Sequence, residues 1–328
     1  MSTAARLAQT LAGVTFAASA VLAQPGPGTT EPGAYPTKVI RLIVPWPAGG
    51  TTDIVGRVMA QKLGESMGRN VVVDNRAGAS GSVGTENMLQ SPADGHTLLV
   101  SSMGTHAMNQ FFYKLAFDPV TDVAPLSMLV NVPAALVAHP SVTFSSVPGL
   151  LAAAKARPGY LNVASGSNAY QLFLELLKSK AAIKVEHIRY RGAGPAMNDL
   201  IGGQVEMLIT GLPAITPHAR AGKLKVIAVT NAKRVAAMPH VPTFSETMPG
   251  VTFDNWTAMF ARAGTPRAIV DKLNAEAGRI LQTPEVRERF LALGAEPTSS
   301  TPQELAATMK RDAEVWGKVI RDSGVKGD

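Results

Sequence analysis

The segment VPWPAGGTTD, residues 44–53, has the composition of an anion-binding turn. It follows the apolar run VIRLIV and precedes the helical pattern IVGRVMAQKLGESM. The prolines keep the chain extended, the glycines leave the turn without side chains, and Thr52 or Asp53 begins the helix. Unpaired first-turn amides and the positive end of the helix dipole attract a carboxylate or a phosphate. A helix cap without a ligand explains this stretch equally well, so other segments must decide.

Four further apolar strands end in small or polar residues of the same kind. NRAGASGSVGTE follows NVVVD, SSMGTH follows TLLV, SGSNAY follows LNVA, and RGAGPA follows HIRY. In open α/β sheets, ligands bind beyond the carboxyl ends of the strands. Together with residues 44–53, these strand ends predict one cleft that all five segments line.

The same segments lack the residues that nucleotide binding or hydrolysis requires. Neither PAGGTTD nor RAGASGSVG contains a P-loop lysine or a GxGxxG pattern, and no GxSxG nucleophile elbow is present. The six histidines have no HxH or HxxxH spacing, and the chain contains no cysteine. We therefore expect a binding protein without a cofactor or a metal, and not an enzyme. Two alternatives stay open: His106 caps a neighbouring helix or bonds to a backbone carbonyl, and Trp46 packs between the lobes.

A regular order of strands and helices must position these segments. Strand VIRLIV, helix 52–67, strand NVVVD, helix 80–90 and strand HTLLVSS predict a first α/β unit. Helices and strands alternate again from SSVPGLLAAAKARPG to LKVIAVT and predict a second unit. Two long extended segments, VAPLSMLVNVPAALVAHP and PGVTFDNWTAMFARAGTP, flank the second unit and indicate a double crossover. From Pro266 onward the pattern is helical, and we expect it to return to the first lobe.

The N-terminus predicts export. Residues 1–23 have one charged side chain, a mostly apolar core and the ending VLA, as in a secretory signal peptide that is cleaved after Ala23. A membrane anchor is the alternative, but Gln9 and Thr10 interrupt an apolar run already short of the ~20 residues that a spanning helix needs. Residue 24 is glutamine, so lipid attachment to a cysteine after the cut is excluded. We expect the mature protein in the periplasm.

The charge balance suits an anionic ligand. The chain has 31 Lys and Arg against 24 Asp and Glu, a formal net charge of +7. A solvated basic surface explains any single one of these charges equally well. No block of basic residues has interleaved aromatic residues, so nucleic acid is not expected as a partner.

Four long segments resemble the tripartite tricarboxylate transporter substrate-binding proteins, the Bug family of periplasmic receptors. They are YPTKVIRLIVPWPAGGTTD, DNRAGASGSVGTE, YRGAGPAMNDLIGGQVEMLITGLPAITPHARAGKLKVIAVT and FARAGTPRAIVDKLNAEAGRIL. The resemblance implies an α/β type II periplasmic binding protein fold, in which two lobes joined by two crossover strands close around a ligand cleft. It also implies a small di- or tricarboxylate ligand, aliphatic or aromatic, and delivery to the membrane subunits of a tripartite tricarboxylate-type transporter.

Together, the element order and the resemblance predict the domain boundaries. We expect a signal peptide over 1–23, a flexible leader over 24–36, lobe 1 over 37–131 and 254–328, and lobe 2 over 132–253. Hinges are expected near residues 130–134 and 251–255, and the protein is expected to be a monomer. The competing hypothesis is a periplasmic sensor or interaction protein that signals to a membrane partner without itself supporting transport.

By motif, the family's ligand loops fall on both predicted lobes. Those of lobe 1 correspond to Trp46, Ala48, Gly49, Gly50, Thr51, Thr52 and Asp53, and to Ser101, Ser102, Thr105 and His106. Those of lobe 2 correspond to Ser165, Gly166, Ser167, Asn168, Arg191, Gly192, Ala193 and Thr210. The sequence departs from the family pattern at Trp46, where Phe is usual, at Ala77, where Pro is usual, and in ASGSNAYQ, which lacks the usual histidine. Thr210 and Gly211 replace the Asp and Asn of many relatives, which disfavours an amino acid as ligand.

Overall fold

The computed structural model describes residues 35–323. The predicted signal peptide and most of the predicted leader lie outside the described residues. Within the described residues, ten strands form one sheet: β1 (Ile40–Val44), β2 (Val71–Asn75), β3 (Thr97–Ser102), β4 (Val123–Ala138), β5 (Asn162–Ser165), β6 (Glu186–Arg189), β7 (Met207–Gly211), β8 (Lys225–Val229), β9 (Asp254–Arg262) and β10 (Glu296–Pro297). The helices are α1 (Thr51–Met67), α2 (Ser82–Leu89), α3 (Val147–Ala156), α4 (Asn168–Ala181), α5 (Ala193–Ile201), α6 (Leu212–Arg220), α7 (Phe244–Thr247), α8 (Arg267–Gln282), α9 (Pro284–Leu293) and α10 (Pro302–Ser323).

The sheet consists of two parallel halves that meet at antiparallel strands. Its order is β2-β1-β3-β9-β4-β7-β5-β6, and β8 and β10 also pair with β4. Strand β1 is parallel to β2 and β3, and β5 is parallel to β6 and β7. The long strand β4 is antiparallel to β9 on one side and to β7 on the other. The predicted layout of two α/β lobes joined by crossover strands is therefore confirmed.

Strand β4 passes from one lobe to the other and changes partners at a proline. Its residues from Val123 to Pro133 pair with β9, whereas those from Ala134 onward pair with β7. Proline has no amide hydrogen to donate to a ladder, so it fits the point at which one pairing ends. Strand β9 begins at Asp254, which pairs with Pro133. Both positions fall within the predicted hinge segments, while the domain boundaries themselves stay a prediction.

Strands β1 and β3 of the lobe 1 sheet are buried on both faces. Leu98 and Val100 of β3 belong to one hydrophobic cluster, and Leu99 belongs to another. Helix α1 places Val55 and Met59, which are four residues apart, in the first of these clusters. This packing fixes the direction of α1, and the first turn of the helix lies at the carboxyl end of β1.

The C-terminal helix α10 returns to lobe 1 and holds the start of β9. The indole Nε1 of Trp256 donates a hydrogen bond of 2.8 Å to Oδ2 of Asp312. Trp316 packs edge-on against Phe253, with 5.3 Å between the ring centroids. Because both contacts lie beside Asp254, the helix anchors the chain next to a predicted hinge.

A π-helical turn at Gly104–Met108 buries one histidine completely. The ring of His106 has no exposed surface and stacks on Phe260, with 4.2 Å between the centroids. Its Nδ1 lies 3.1 Å from the carbonyl oxygen of Pro119, so Nδ1 carries the hydrogen. Burial lowers the pKa of His106 to about 4, which outweighs the opposite effect of the Pro119 contact. The ring is therefore neutral at neutral pH.

We expect acid to destabilise the protein through His106. Below the ordinary histidine pKa of 6.5, the unfolded chain binds a proton that the folded chain refuses down to a pH of about 4. One proton of difference lowers the free energy of unfolding by ~1.4 kcal/mol per pH unit. Urea unfolding of wild type and His106→Gln at pH 7, 6 and 5 should show a shallower fall for the variant. Parallel falls would contradict the assignment.

Candidate ligand-binding site

The first turn of α1 begins without a side-chain cap. Gly50 occupies the N-cap position with extended backbone angles, and it has no side chain to accept a hydrogen bond from the first-turn amides. Gly49 has a φ of +83°, which a residue with a Cβ rarely adopts. The turn therefore presents bare amide groups at the positive end of a 17-residue helix.

Asp53 stabilises the conformation of this turn through hydrogen bonds. The residue is 2% exposed, and its Oδ2 accepts from the amide of Gly49 at 2.9 Å and from Nε of Arg57 at 3.0 Å. Its Oδ1 accepts from Nδ2 of Asn75 at 2.9 Å, and the same nitrogen donates to the carbonyl oxygen of Trp46 at 2.8 Å. The carboxylate is thus paired with a cation and bonded to the loop.

Between the lobes lies a narrow cavity of about 40 Å³ with uncharged walls. Its walls combine the α1 turn and the ends of β3 and β7 with the first residues of α4 and β9. The lining residues are Trp46, Gly50, Thr51, Thr52, Ser102, Gly166, Ser167, Tyr170, Ala193, Thr210, Asn255 and Thr257. Backbone amides and hydroxyl groups are therefore the main polar groups that face a ligand there.

A larger chamber of about 450 Å³ adjoins the cavity and shares Trp46, Gly166 and Ser167 with it. Its walls contain basic side chains and no carboxylate. The remaining lining residues are Ala77, Gly78, Ala79, Ser80, Tyr113, Asn168, Gln171, His187, Arg189, Tyr190 and Arg191. The positive charge of the site is thus placed in this chamber and not in the cavity.

Three helices begin at the cavity, and none of the three has a side-chain cap. They are α1 after Gly50, α4 after Ser167 and α5 after Gly192. Each N-terminus has a partial positive charge and amides that lack an intrahelical acceptor. The arrangement favours an anion in a place where no cationic side chain lines the wall.

The two lobes touch each other around the cavity. Oγ1 of Thr51 lies 3.4 Å from the carbonyl oxygen of Gly211, and the hydroxyl of Tyr113 lies 3.4 Å from Oδ1 of Asn168. A Cβ at Gly194 would overlap the carbonyl oxygen of Ala48. The structure is therefore a closed form in which the main chains of both lobes approach directly.

The structure brings eleven of the nineteen predicted ligand residues to the cavity or the chamber. Those that line the cavity are Trp46, Gly50, Thr51, Thr52, Ser102, Gly166, Ser167, Ala193 and Thr210. Asn168 and Arg191 line the chamber only. Ala48 and Gly49 face a separate groove beside α5.

The other six predicted residues line neither space, because they pack against the protein or bond to it. Thr105 donates to the carbonyl oxygen of Ser80 at 3.1 Å, and Oγ of Ser165 lies 2.8 Å from Nε2 of His187. Ser101 is fully buried against β9. Gly192 packs on the ring of Pro47, and Asp53 and His106 make the contacts described above. These six residues shape the loops around the site.

Three residues of the cavity wall were not predicted: Tyr170, Asn255 and Thr257. Tyr170 occupies a position of α4 that fits its apolar pattern, so periodicity alone assigns it to the core. Asn255 and Thr257 are two residues apart in β9, so their side chains lie on the same face of the sheet. Two polar residues at this spacing within a mostly apolar strand could have identified them from the sequence.

Replacement of Asp53 by alanine should both destabilise the protein and weaken ligand binding. The change leaves the Gly49 amide and the Asn75 side chain without their acceptor, which costs about 2 kcal/mol in buried surroundings. The loosened turn should also lower carboxylate affinity by about tenfold, or ~1.4 kcal/mol. Asp271→Ala is the matched control, because Asp271 pairs with Arg267 on the exposed face of α8 and should contribute less than about 0.5 kcal/mol. Equal urea-unfolding curves for the two variants would refute the role of Asp53.

No helix within residues 35–323 has the length and apolar composition needed to cross a membrane. Within the same residues, no three His, Asp or Glu side chains are grouped as a metal ion would require.

The sequence matches a known receptor family over most of its length. Residues 55–325 match the family described as "Tripartite tricarboxylate transporter family receptor". Protein BugT of Bordetella pertussis is 38% identical over 321 residues, which cover 95% of this chain and 96% of BugT.

Solved structures of similar proteins have the same fold. R. palustris Rpa4515 with adipate has a TM-score of 0.87 and 33% identity, covering 90% of this chain and 100% of that one. MatC (Rpa3494) from Rhodopseudomonas palustris with bound malate has a TM-score of 0.82 and 30% identity, covering 87% of this chain and 100% of that one. The predicted type II periplasmic binding fold is therefore confirmed, and the chain belongs to the tripartite tricarboxylate transporter receptor family, together with the Bug proteins.

Proposed function

We propose that this protein is a periplasmic receptor that captures a small carboxylate between its lobes. It then delivers the ligand to the membrane subunits of a tripartite tricarboxylate-type transporter. The observation that carries this proposal is the convergence of three uncapped helix N-termini on one cavity. Bare amides and hydroxyl groups suit the oxygens of a carboxylate. The proposal includes no catalytic step, and it treats the receptor as a monomer exported by cleavage after Ala23.

The walls of the cavity also restrict the rest of the ligand. They contain no Asp or Glu, so a ligand ammonium group would have no counter-charge there. They also contain no Lys or Arg, so the carboxylate is stabilised by dipoles and hydrogen bonds. The relatives with adipate and with malate support an aliphatic dicarboxylate. The adjoining chamber, with Arg191 in its wall, also leaves room for tricarboxylates and aromatic acids.

A thermal-shift screen of the purified protein against a panel of carboxylates tests the proposal. A ligand that binds only the folded state at a hundredfold excess over Kd adds about 2.7 kcal/mol of stability. For a protein of this size, that gain raises Tm by roughly 5–10 °C. We expect such a rise for at least one di- or tricarboxylate and none for amino acids. A flat screen would overturn the proposal and favour the sensor or interaction protein.

Gly194→Ala should block closure without harming the fold. Gly194 has ordinary helical angles in the first turn of α5, so alanine fits the helix, but its Cβ would overlap the carbonyl oxygen of Ala48 across the cleft. We expect carboxylate affinity to fall at least tenfold while Tm without ligand stays the same.

Solution scattering separates closure from simple loss of binding. A saturating carboxylate should reduce the radius of gyration of the wild type and change the fluorescence of Trp46, which lines the cavity. Gly194→Ala should show a smaller change in radius even at saturation. Gly278→Ala is the control, since a Cβ at Gly278 meets nothing within 4 Å. Full closure of the Gly194 variant would contradict the closed form described here.

A further inference from the structure

Tyr170 presents a hydroxyl group to the cavity from lobe 2. The residue lies in the first turn of α4 and is 7% exposed. Its ring packs edge-on against Phe253, with 5.9 Å between the centroids. Its oxygen lies 3.4 Å from Nδ2 of Asn255, which belongs to the crossover strand β9. The hydroxyl group therefore lies where lobe 2 meets the hinge.

The direction of this hydrogen bond is fixed by the neighbour of Asn255. The backbone amide of Trp256 donates to Oδ1 of Asn255 at 2.9 Å. Because an amide N–H needs an oxygen acceptor, the nitrogen of the Asn255 side chain must face Tyr170. Tyr170 thus accepts this hydrogen bond, and its own hydroxyl hydrogen has no acceptor among residues 35–323.

Burial keeps that hydrogen on the tyrosine. It raises the pKa of Tyr170 to about 12, against the smaller opposite effect of the Asn255 hydrogen bond. The group is therefore a neutral donor at neutral pH. A buried hydroxyl normally finds an acceptor, so an unmatched one in a cavity wall indicates where a ligand oxygen is held.

We propose that Tyr170 determines specificity by donating a hydrogen bond to an acceptor oxygen at the far end of the ligand. This inference rests on the proposed function, in which the ligand's first carboxylate lies at the α1 turn of lobe 1. The ligand class is then a carboxylate with a second carboxylate or carbonyl oxygen at its other end. A simple aliphatic monocarboxylate leaves the hydroxyl unmatched and binds more weakly.

Calorimetric titration with matched probes tests this inference. Adipate is compared with hexanoate, and malate with 2-hydroxybutyrate, because each second probe lacks only the distal carboxylate. Adipic acid monoamide replaces that charge by a neutral carbonyl. We expect the wild type to prefer adipate or malate over its matched monocarboxylate by at least tenfold. Tyr170→Phe should lose about tenfold for the probes with a distal acceptor and little for the others.

The variants are chosen so that folding and binding can be separated. Tyr170→Phe keeps the ring that packs on Phe253, and urea unfolding checks that its stability is retained. Tyr160→Phe is the control, because the Tyr160 ring lies on the surface beneath Arg157. Equal losses for both probes of a pair, or no loss at all, would overturn the role of Tyr170 and leave the proposed function standing. If the wild type binds no carboxylate, the proposed function fails, and this inference fails with it.

Discussion

Backbone amides without an acceptor are the constraint on which this structure depends. Three helices start at one cavity, and each N-cap position holds a glycine or a serine whose side chain makes no capping hydrogen bond. Amides that are buried away from water without a partner cost free energy. In an open cleft, water satisfies them, but closure removes most of that water. A bound anion replaces the lost hydrogen bonds, so ligand binding and closure favour each other.

The same constraint explains where the charges of the site are placed. Asp53 is the carboxylate next to the α1 turn, and it is paired with Arg57 and bonded to the loop on the side away from the cavity. A cationic side chain inside so narrow a cavity would have to lose its hydration, which costs several kcal/mol. Helix N-termini supply a positive potential without that penalty, because their amides are already fixed by the fold. Arg191 lies in the larger chamber, where there is room for water around it.

The sequence predicted the loops at the helix N-termini better than the part of the cavity wall formed by Tyr170, Asn255 and Thr257. Glycine and hydroxyl residues at strand ends identified the α1 turn and the loops before α4 and α5. Ligands of open α/β sheets bind beyond the carboxyl ends of the strands, so small and polar residues at those positions indicate a site. Local patterns do not show where a side chain points, so Thr105 and Ser165 were predicted with them although each bonds to the protein. Tyr170 was missed because it fits the apolar spacing of α4. Its hydroxyl has a role only because β9 brings Asn255 beside it, and that contact joins residues 85 positions apart.

The contacts of β9 indicate which residues of the cavity belong to which lobe. Asp312 of α10 holds Trp256, and residues 255–257 of β9 pair with β4 on the lobe 1 side of Pro133. Phe253 packs against Trp316 of α10, but its amide donates to the carbonyl oxygen of Thr230 in lobe 2 and its ring also packs against Tyr170. We therefore expect the change from one lobe to the other between Phe253 and Trp256, within the predicted hinge segment. With that boundary, Asn255 belongs to lobe 1 and Tyr170 to lobe 2, and their hydrogen bond joins the two lobes. In the proposed mechanism, closure therefore does more than enclose the ligand, because it also brings the Asn255 amide to the Tyr170 oxygen and leaves the hydroxyl hydrogen for the ligand.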